Sequence, residues 1–240
     1  VLLPRSAATL ASMAQHTPHA RIISEAARSV LGPLGLNQWG RTRLWIDDQR
    51  WRLGLAEFEA GSLTRGCSLR VGAMWLWSHH GGFRFDLERR LERFVFYRNK
   101  SQFEREAHRL AVRAAEAVVE QRNKFASVEG ASNAIFDSLS RSTDIGALYD
   151  AAVAAGICGD VHRAMTLFAR IAVEPRHTAR DHALASDAAV LANDAANPAV
   201  FRLSIEHRVI ESRRELRLPT LSDSRLFADL LAEPEDSRAG

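Results

Sequence analysis

Arginine is the residue through which this sequence offers most chemistry. Of its 32 basic residues 30 are arginine, and only Lys100 and Lys124 are lysine. A guanidinium is planar, permanently charged and matched to two oxygens of a phosphate or carboxylate. Arg41, Arg43, Arg50, Arg52, Arg70 and Arg84 fall at alternate positions of segments that read as β-strands. Side chains alternate across a strand, so these six are expected on one sheet face, with Trp45 among them to stack a base. Gly54 and Gly72 on that face leave room for a ligand to approach the backbone. Asp86 and Glu88 supply only part of the counter-charge. The expected binding site is therefore an anion platform of Arg41, Arg43, Trp45, Arg50, Arg52, Arg70 and Arg84. Two other readings stay open: a solvated outer face whose arginine stems cover apolar surface, and a seat for the acidic second half of the chain.

Other constellations carry less. His79-His80 sits in an expected turn before Gly81-Gly82, with no third ligand at a recognisable spacing, so no metal is assigned. His177 and His182 are five residues apart rather than the four that align side chains on a helix, and with Asp181 they read as surface or capping residues. Glu57 and Glu59 share a strand face and read as charges near a hairpin. No nucleophile elbow, phosphate loop or dinucleotide fingerprint is present, so no catalytic residue and no cofactor is assigned. Two cysteines, Cys67 and Cys158, imply no disulfide framework and are expected to be reduced and buried.

The elements that must position these residues follow from periodicity. Ile22, Ile23, Ala26, Ala27 and Val30 make one face of a helix from about Pro18 to Leu31, with Thr17 as its cap and Gly32-Pro33 as its stop. Twelve of the 18 aromatic residues then lie between Trp39 and Phe103, which marks strands. They are expected near Arg41 to Asp47, Arg50 to Glu59, Cys67 to Ser78, Phe83 to Glu88 and Leu91 to Tyr97. Short connections make an antiparallel meander the economical topology. A long helix opens at the capping box Ser101 to Glu104 and carries Phe103, Ala107, Leu110, Ala111, Ala114 and Val118 to about Phe125. A serine-rich stretch from Ser127 to Ser142 reads as a linker in which Ile135, Phe136 and Leu139 could form a short helix. Beyond it helices are expected near 145–156, 161–173, 178–196, 198–216 and 222–232, with a frayed tail over 233–240. The fold class is α+β: an antiparallel meander sheet with covering helices, followed by an all-helical bundle. The expected domains are 1–126 and 143–232.

Two resemblances accompany this reading. Gly40-Arg41-Thr42-Arg43-Leu44-Trp45 after a helix, followed by Val71-Gly72-Ala73-Met74-Trp75-Leu76-Trp77, resembles a bacterial domain family of unknown function over roughly residues 21–125. It implies the helix, meander, helix order and no activity. Gly159-Asp160, Ala164, Phe168, Ala172 and Pro175 resemble the closing helix of a tetratricopeptide repeat. Ala151, Ala152 and Ala155 stand where that pattern has bulkier residues, and no second copy follows, so the resemblance implies a helix pair rather than an array.

Charge divides along the chain. Residues 1–125 hold 20 basic and 12 acidic groups, a net of +8, whereas residues 126–240 hold 12 and 17, a net of −5. No window approaches the roughly 20 apolar residues of a membrane span. Pro4 and Arg5 interrupt the apolar N-terminus before a signal-peptide core forms. The chain thus reads as a cytoplasmic, non-enzymatic protein that holds another macromolecule, with a protein partner and a homodimer expected. The alternative is a nucleic-acid or nucleotide binder working through the arginine face. A third reading is an enzyme with a pocket between the halves, using His79, His80, Glu57 or Asp86.

Overall fold

Ile22, Ile23, Ala27 and Leu31 recur at helical spacing, and in the computed structural model all four are buried on one side of helix α1, Pro18–Leu31. The structure describes residues 18–60, 65–78, 81–139, 144–222 and 226–227. The expected Thr17 cap, the His79-His80 turn, most of the expected helix over 222–232 and the tail lie outside the described residues. A short 3-10 turn, Gly32–Leu34, ends α1, with Gly35 at φ 85°.

Five strands follow: β1 (Asn37–Gln38), β2 (Leu44–Gln49), β3 (Arg52–Ala60), β4 (Gly66–Trp75) and β5 (Leu87–Phe96), in the sheet order β1-β2-β3-β4-β5. The sheet is antiparallel, as expected, but its members differ. The two strands expected over 83–97 are one strand, β5, and the fifth member is the two-residue β1, which pairs Asn37 with Ile46 and Gln38 with Trp45. Residues 83–86 stay outside the sheet, where the Asp86 carboxylate takes the backbone N–H of Trp75 at 2.8 Å and removes that donor from strand pairing. The first hairpin also turns later than expected. Asp47-Asp48-Gln49 is strand, and Arg50-Trp51 makes the turn with Arg50 at φ 63°.

Register decides what each face carries. Phe58 N donates to Arg43 O at 3.1 Å and Leu76 N to Trp51 O at 3.2 Å. This places Trp45 beside Ala56 and Phe58, on the face shared by Cys67, Leu69 and Val71. Helix α2, Lys100–Lys124, covers that face with Phe103, Ala107, Leu110, Ala111, Ala114, Ala117 and Val118, together with the apolar stripe of α1. Leu53 and Leu55, at the alternate positions, are buried as well. The expected division into one apolar and one arginine face is therefore corrected: apolar residues are buried on both faces, and Arg43 and Arg52 stand on the face opposite Arg70.

The remaining helices are α3 (Val128–Leu139), α4 (Ile145–Ile157), α5 (Val161–Val173), α6 (Ala179–Asp194) and α7 (Pro198–Glu215). The stretch expected to be a linker is thus largely helix α3. Side-chain caps set the starts of four of these: Asp144 accepts from Ala147 N, Asp160 from Arg163 N, Thr178 from Asp181 N and Asn197 from Ala199 N. Helix α4 is buried on all sides, which accounts for its alanines. Small residues let neighbours approach, and a Cβ on Gly156 would run into the Phe201 ring.

Two compact units result, and a single cut between 126 and 143 does not separate them. One takes Leu53–Ala73 and Glu88–Asn123 with the chain up to Gln49; the other takes Arg50–Arg52 and Met74–Leu87 with the chain from Lys124. Among the described residues no helix is long and apolar enough to cross a membrane.

Gly66 supplies a test of the sheet. At φ 152°, a Cβ there would strike the Val95 carbonyl oxygen and the Phe94 ring of β5. Gly66→Ala is expected to destabilise the protein by more than about 1 kcal/mol, read as a lowered urea midpoint.

Candidate anion-binding groove

The polar side of α1 carries Arg21, Ser24, Glu25 and Arg28, which helical spacing stacks into one stripe. Facing it is the β1–β2 turn. Thr42 fixes that turn by donating its N–H and its Oγ1 to Trp39 O at 3.0 and 2.7 Å, while Leu44 N donates to Thr42 Oγ1 at 3.2 Å. Gly40 takes φ 55°. Gln38 links the two sides, donating Nε2 to Thr42 O at 2.6 Å and accepting from Arg28 Nη2 at 3.4 Å. Between them lies a groove of about 650 Å³ lined by Arg21, Arg28, Arg41 and Arg43, with Glu25 as the only acid among the described lining residues.

Arg21 pairs with Glu25 at 3.1 Å, an exposed pair worth little in water. Arg43 is half-buried, and its Nη1 is buried without a hydrogen-bond partner among the described residues. Burial pulls its pKa down, with only partial relief from the Cys67 and Glu57 side chains. His19 lies close by, 6% exposed, its ring against Tyr97 and Phe103 at 5.9 and 6.3 Å. Burial, then the charges of Arg43 and Arg65, hold the His19 pKa below its ordinary value, so the imidazole is neutral at pH 7. Cys67 is no nucleophile, because burial pushes its thiol up to about 12. The arrangement can hold an anion.

Only Arg41 and Arg43 of the expected platform line this groove. Trp45 is 3% exposed in the core beneath α1 and α2 and presents no face to a ligand. Arg50 forms the hairpin turn, where its carbonyl accepts from Arg213 Nη1 at 2.7 Å. Arg52 is 2% exposed; its Nε donates to Phe125 O at 3.1 Å and its guanidinium lies over the Trp51 and Phe125 rings. Arg70 is held by Glu57 at 2.6 Å, Glu59 at 3.1 Å and Glu88 at 3.4 Å. Against the cost of its burial, those carboxylates keep Arg70 more firmly protonated than a free arginine. Arg84 binds Asp86 at 2.7 Å. Gly54 makes room for Asp47, whose Cβ lies 3.1 Å from where a glycine Cβ would stand, rather than for a ligand.

Sequence reasoning missed Arg21 and Arg28. The signal was present: positions 21, 24, 25 and 28 follow the i, i+3, i+4, i+7 pattern of the helix already read from its apolar side. Asp181 does cap a helix, accepting from His177 N and Thr178 N at 2.9 Å. Cys158, expected to be buried, is exposed after α4, because Gly159 at φ 84° ends that helix there. No family model matches this chain, and no curated protein and no solved structure is significantly similar to it.

An unpartnered buried guanidinium nitrogen costs about 1–3 kcal/mol. Arg43→Met, which keeps the apolar stem, is expected to raise stability by about 1 kcal/mol in urea unfolding. The exposed Arg28→Met should stay within about 0.5 kcal/mol of wild type.

Proposed function

We propose that this chain is a non-enzymatic binding protein that holds the phosphate groups of a nucleotide or a single-stranded nucleic acid in the groove between α1 and the β1–β2 turn. The observation that carries this reading is Arg43 Nη1, buried without a hydrogen-bond partner among the described residues, in a groove lined also by Arg21 and Arg28. A phosphate oxygen would supply the missing acceptor, and Arg28 and Arg41 would close on the same group from the two sides. With Trp45 buried, recognition rests on the phosphates rather than on base stacking, so little sequence preference is expected.

Fluorescence anisotropy with a short labelled oligothymidylate tests this, with pyrophosphate and an oligoglutamate peptide as competitors. Three arginine–phosphate contacts give a slope of log K against log salt of about −2. Arg41→Glu with Arg43→Glu should abolish binding, while Arg70→Glu, on the other sheet face, should leave the affinity unchanged. Unchanged affinity in the Arg41 and Arg43 variant would overturn the reading. So would displacement by oligoglutamate at lower concentration than by pyrophosphate, which would indicate an acidic protein partner.

A further inference from the structure

The described lining of the groove holds no aromatic ring, but one ring of the same compact unit stands open to solvent. Phe96 closes β5 and is 56% exposed, the most exposed aromatic side chain among the described residues. Alternation puts it there. Val95 and Tyr97 pack against the core beneath α1 and α2, so Phe94 and Phe96 take the other face. The Phe94 ring lies against Gly66 of β4, where a Cβ would stand 2.7 Å from its Cε1. Phe96 stands edge-on to Phe94, with centroids 5.0 Å apart and planes at 70°. Its ring is thus steadied by a neighbour that packs on the sheet, and more than half of it stays uncovered.

A single exposed apolar side chain is ordinary, and it is the position of this one that matters. Antiparallel pairing brings the start of β2, the start of β4 and the end of β5 to one end of the sheet. There Phe58 N donates to Arg43 O at 3.1 Å and Tyr97 N donates to Arg65 O at 2.9 Å. Arg43 of the groove, Arg65 and Phe96 therefore follow one another along a single rim, with β2 and β5 three strand spacings, or roughly 14 Å, apart. His19 of α1 joins the two sides: its ring meets Tyr97 at 5.9 Å, and the charges of both Arg43 and Arg65 act on it. Arg65 and Arg98, just before β4 and just after β5, are exposed. The acids on the face of Phe96 are already matched, Glu57, Glu59 and Glu88 to Arg70 and Glu59 also to Arg90.

Resting on the reading of the groove as a phosphate site, we infer that Phe96 is a second subsite for the same single-stranded nucleic acid. A strand held by its phosphates at Arg41 and Arg43 passes the rim at Arg65 and lays a base on the Phe96 ring. The chemistry is that of single-strand recognition in general, cations along the backbone and an aromatic side chain under a base. Stacking of this kind tolerates any sequence, because every base has a π-face. Both subsites are filled at once only by a strand of several nucleotides, so the pair of them selects a strand over a free nucleotide.

Anisotropy titrations of the full-length chain test this with a labelled oligothymidylate of about 12 nucleotides, within the span that single-strand binding folds cover, and an abasic oligomer of the same length and charge. Phe96→Leu keeps an apolar side chain and removes the flat ring. It should weaken the oligothymidylate by about fivefold or more and leave the abasic oligomer unchanged. Phe96→Trp should bind the oligothymidylate at least as tightly as wild type. Pyrophosphate, which competes in the groove alone, should bind Phe96→Leu and wild type equally. If Phe96→Leu binds both oligomers as wild type does, while Arg41→Glu with Arg43→Glu binds neither, the stacking subsite is refuted and the groove reading stands. If the Arg41 and Arg43 variant binds the oligothymidylate as wild type does, the groove reading falls and this inference with it. Oligothymidylate affinity kept in Phe96→Leu together with a lower mass in sedimentation would make the ring a contact between copies of the chain, and would likewise overturn the subsite.

Discussion

A guanidinium does not give up its proton at any pH this protein meets, so each buried arginine must find acceptors where it lies. With 30 arginines in 240 residues, this requirement shapes the fold. Several ends are met by backbone carbonyls that secondary structure leaves over. Arg52 takes Phe125 O just past α2, Arg202 takes Ile157 O at the end of α4, and Arg122 takes Leu34 O together with both oxygens of Asp47. Arg213, 4% exposed, joins Arg50 O in the hairpin to Pro219 O beyond α7. Terminal carbonyls of helices and turns lack intrahelical partners, and a planar fork of donors is suited to reach them from a distance. Lysine, with one compact charge, would make fewer of these ties.

Seen this way, the buried aromatics and the arginines belong to one design. Trp51, Trp75 and Trp77 lie within 14° of parallel with centroids 5.4–5.9 Å apart, and Phe125 stands edge-on to Trp75. Arg52 lies over two of these rings, so its charge meets their π-faces. Trp77 in turn gives its indole N–H to Asp150. Tryptophan is used here for area and for a donor at once, which explains why three of the five tryptophans collect at the ends of β3 and β4.

Arg43 has an Nη1 that is buried without an acceptor among the described residues. Two other strand arginines meet acids of their own unit: Arg70 meets Glu57, Glu59 and Glu88, and Arg89 of β5 meets Glu120 of α2. Among the described lining residues of the groove beside α1 the one acid is Glu25, which pairs with Arg21. The buried Nη1 of Arg43 is the observation on which the proposed anion site rests.

Most helices and three of the strands were legible because they rest on local periodicity. The stripe of α1 and the alanine and leucine repeat of α2 each act within a turn or two of chain. Faces of the sheet were not legible, because Trp45, Leu53 and Leu69 are all apolar and alternation alone does not say which stand together. Hydrogen-bond register, a contact between distant residues, makes that choice, and it sent Arg52 inward and Arg70 to Glu57. The groove needed one more long-range fact, the placing of the Arg21–Arg28 stripe opposite the turn that carries Arg41 and Arg43. The sequence by itself therefore determined the α+β class, the helices and the wealth of guanidinium groups. Only the tertiary structure decided which of those charges meet carbonyls and carboxylates and that Arg43 Nη1 meets no acceptor among the described residues, because that depends on acceptors brought close by folding.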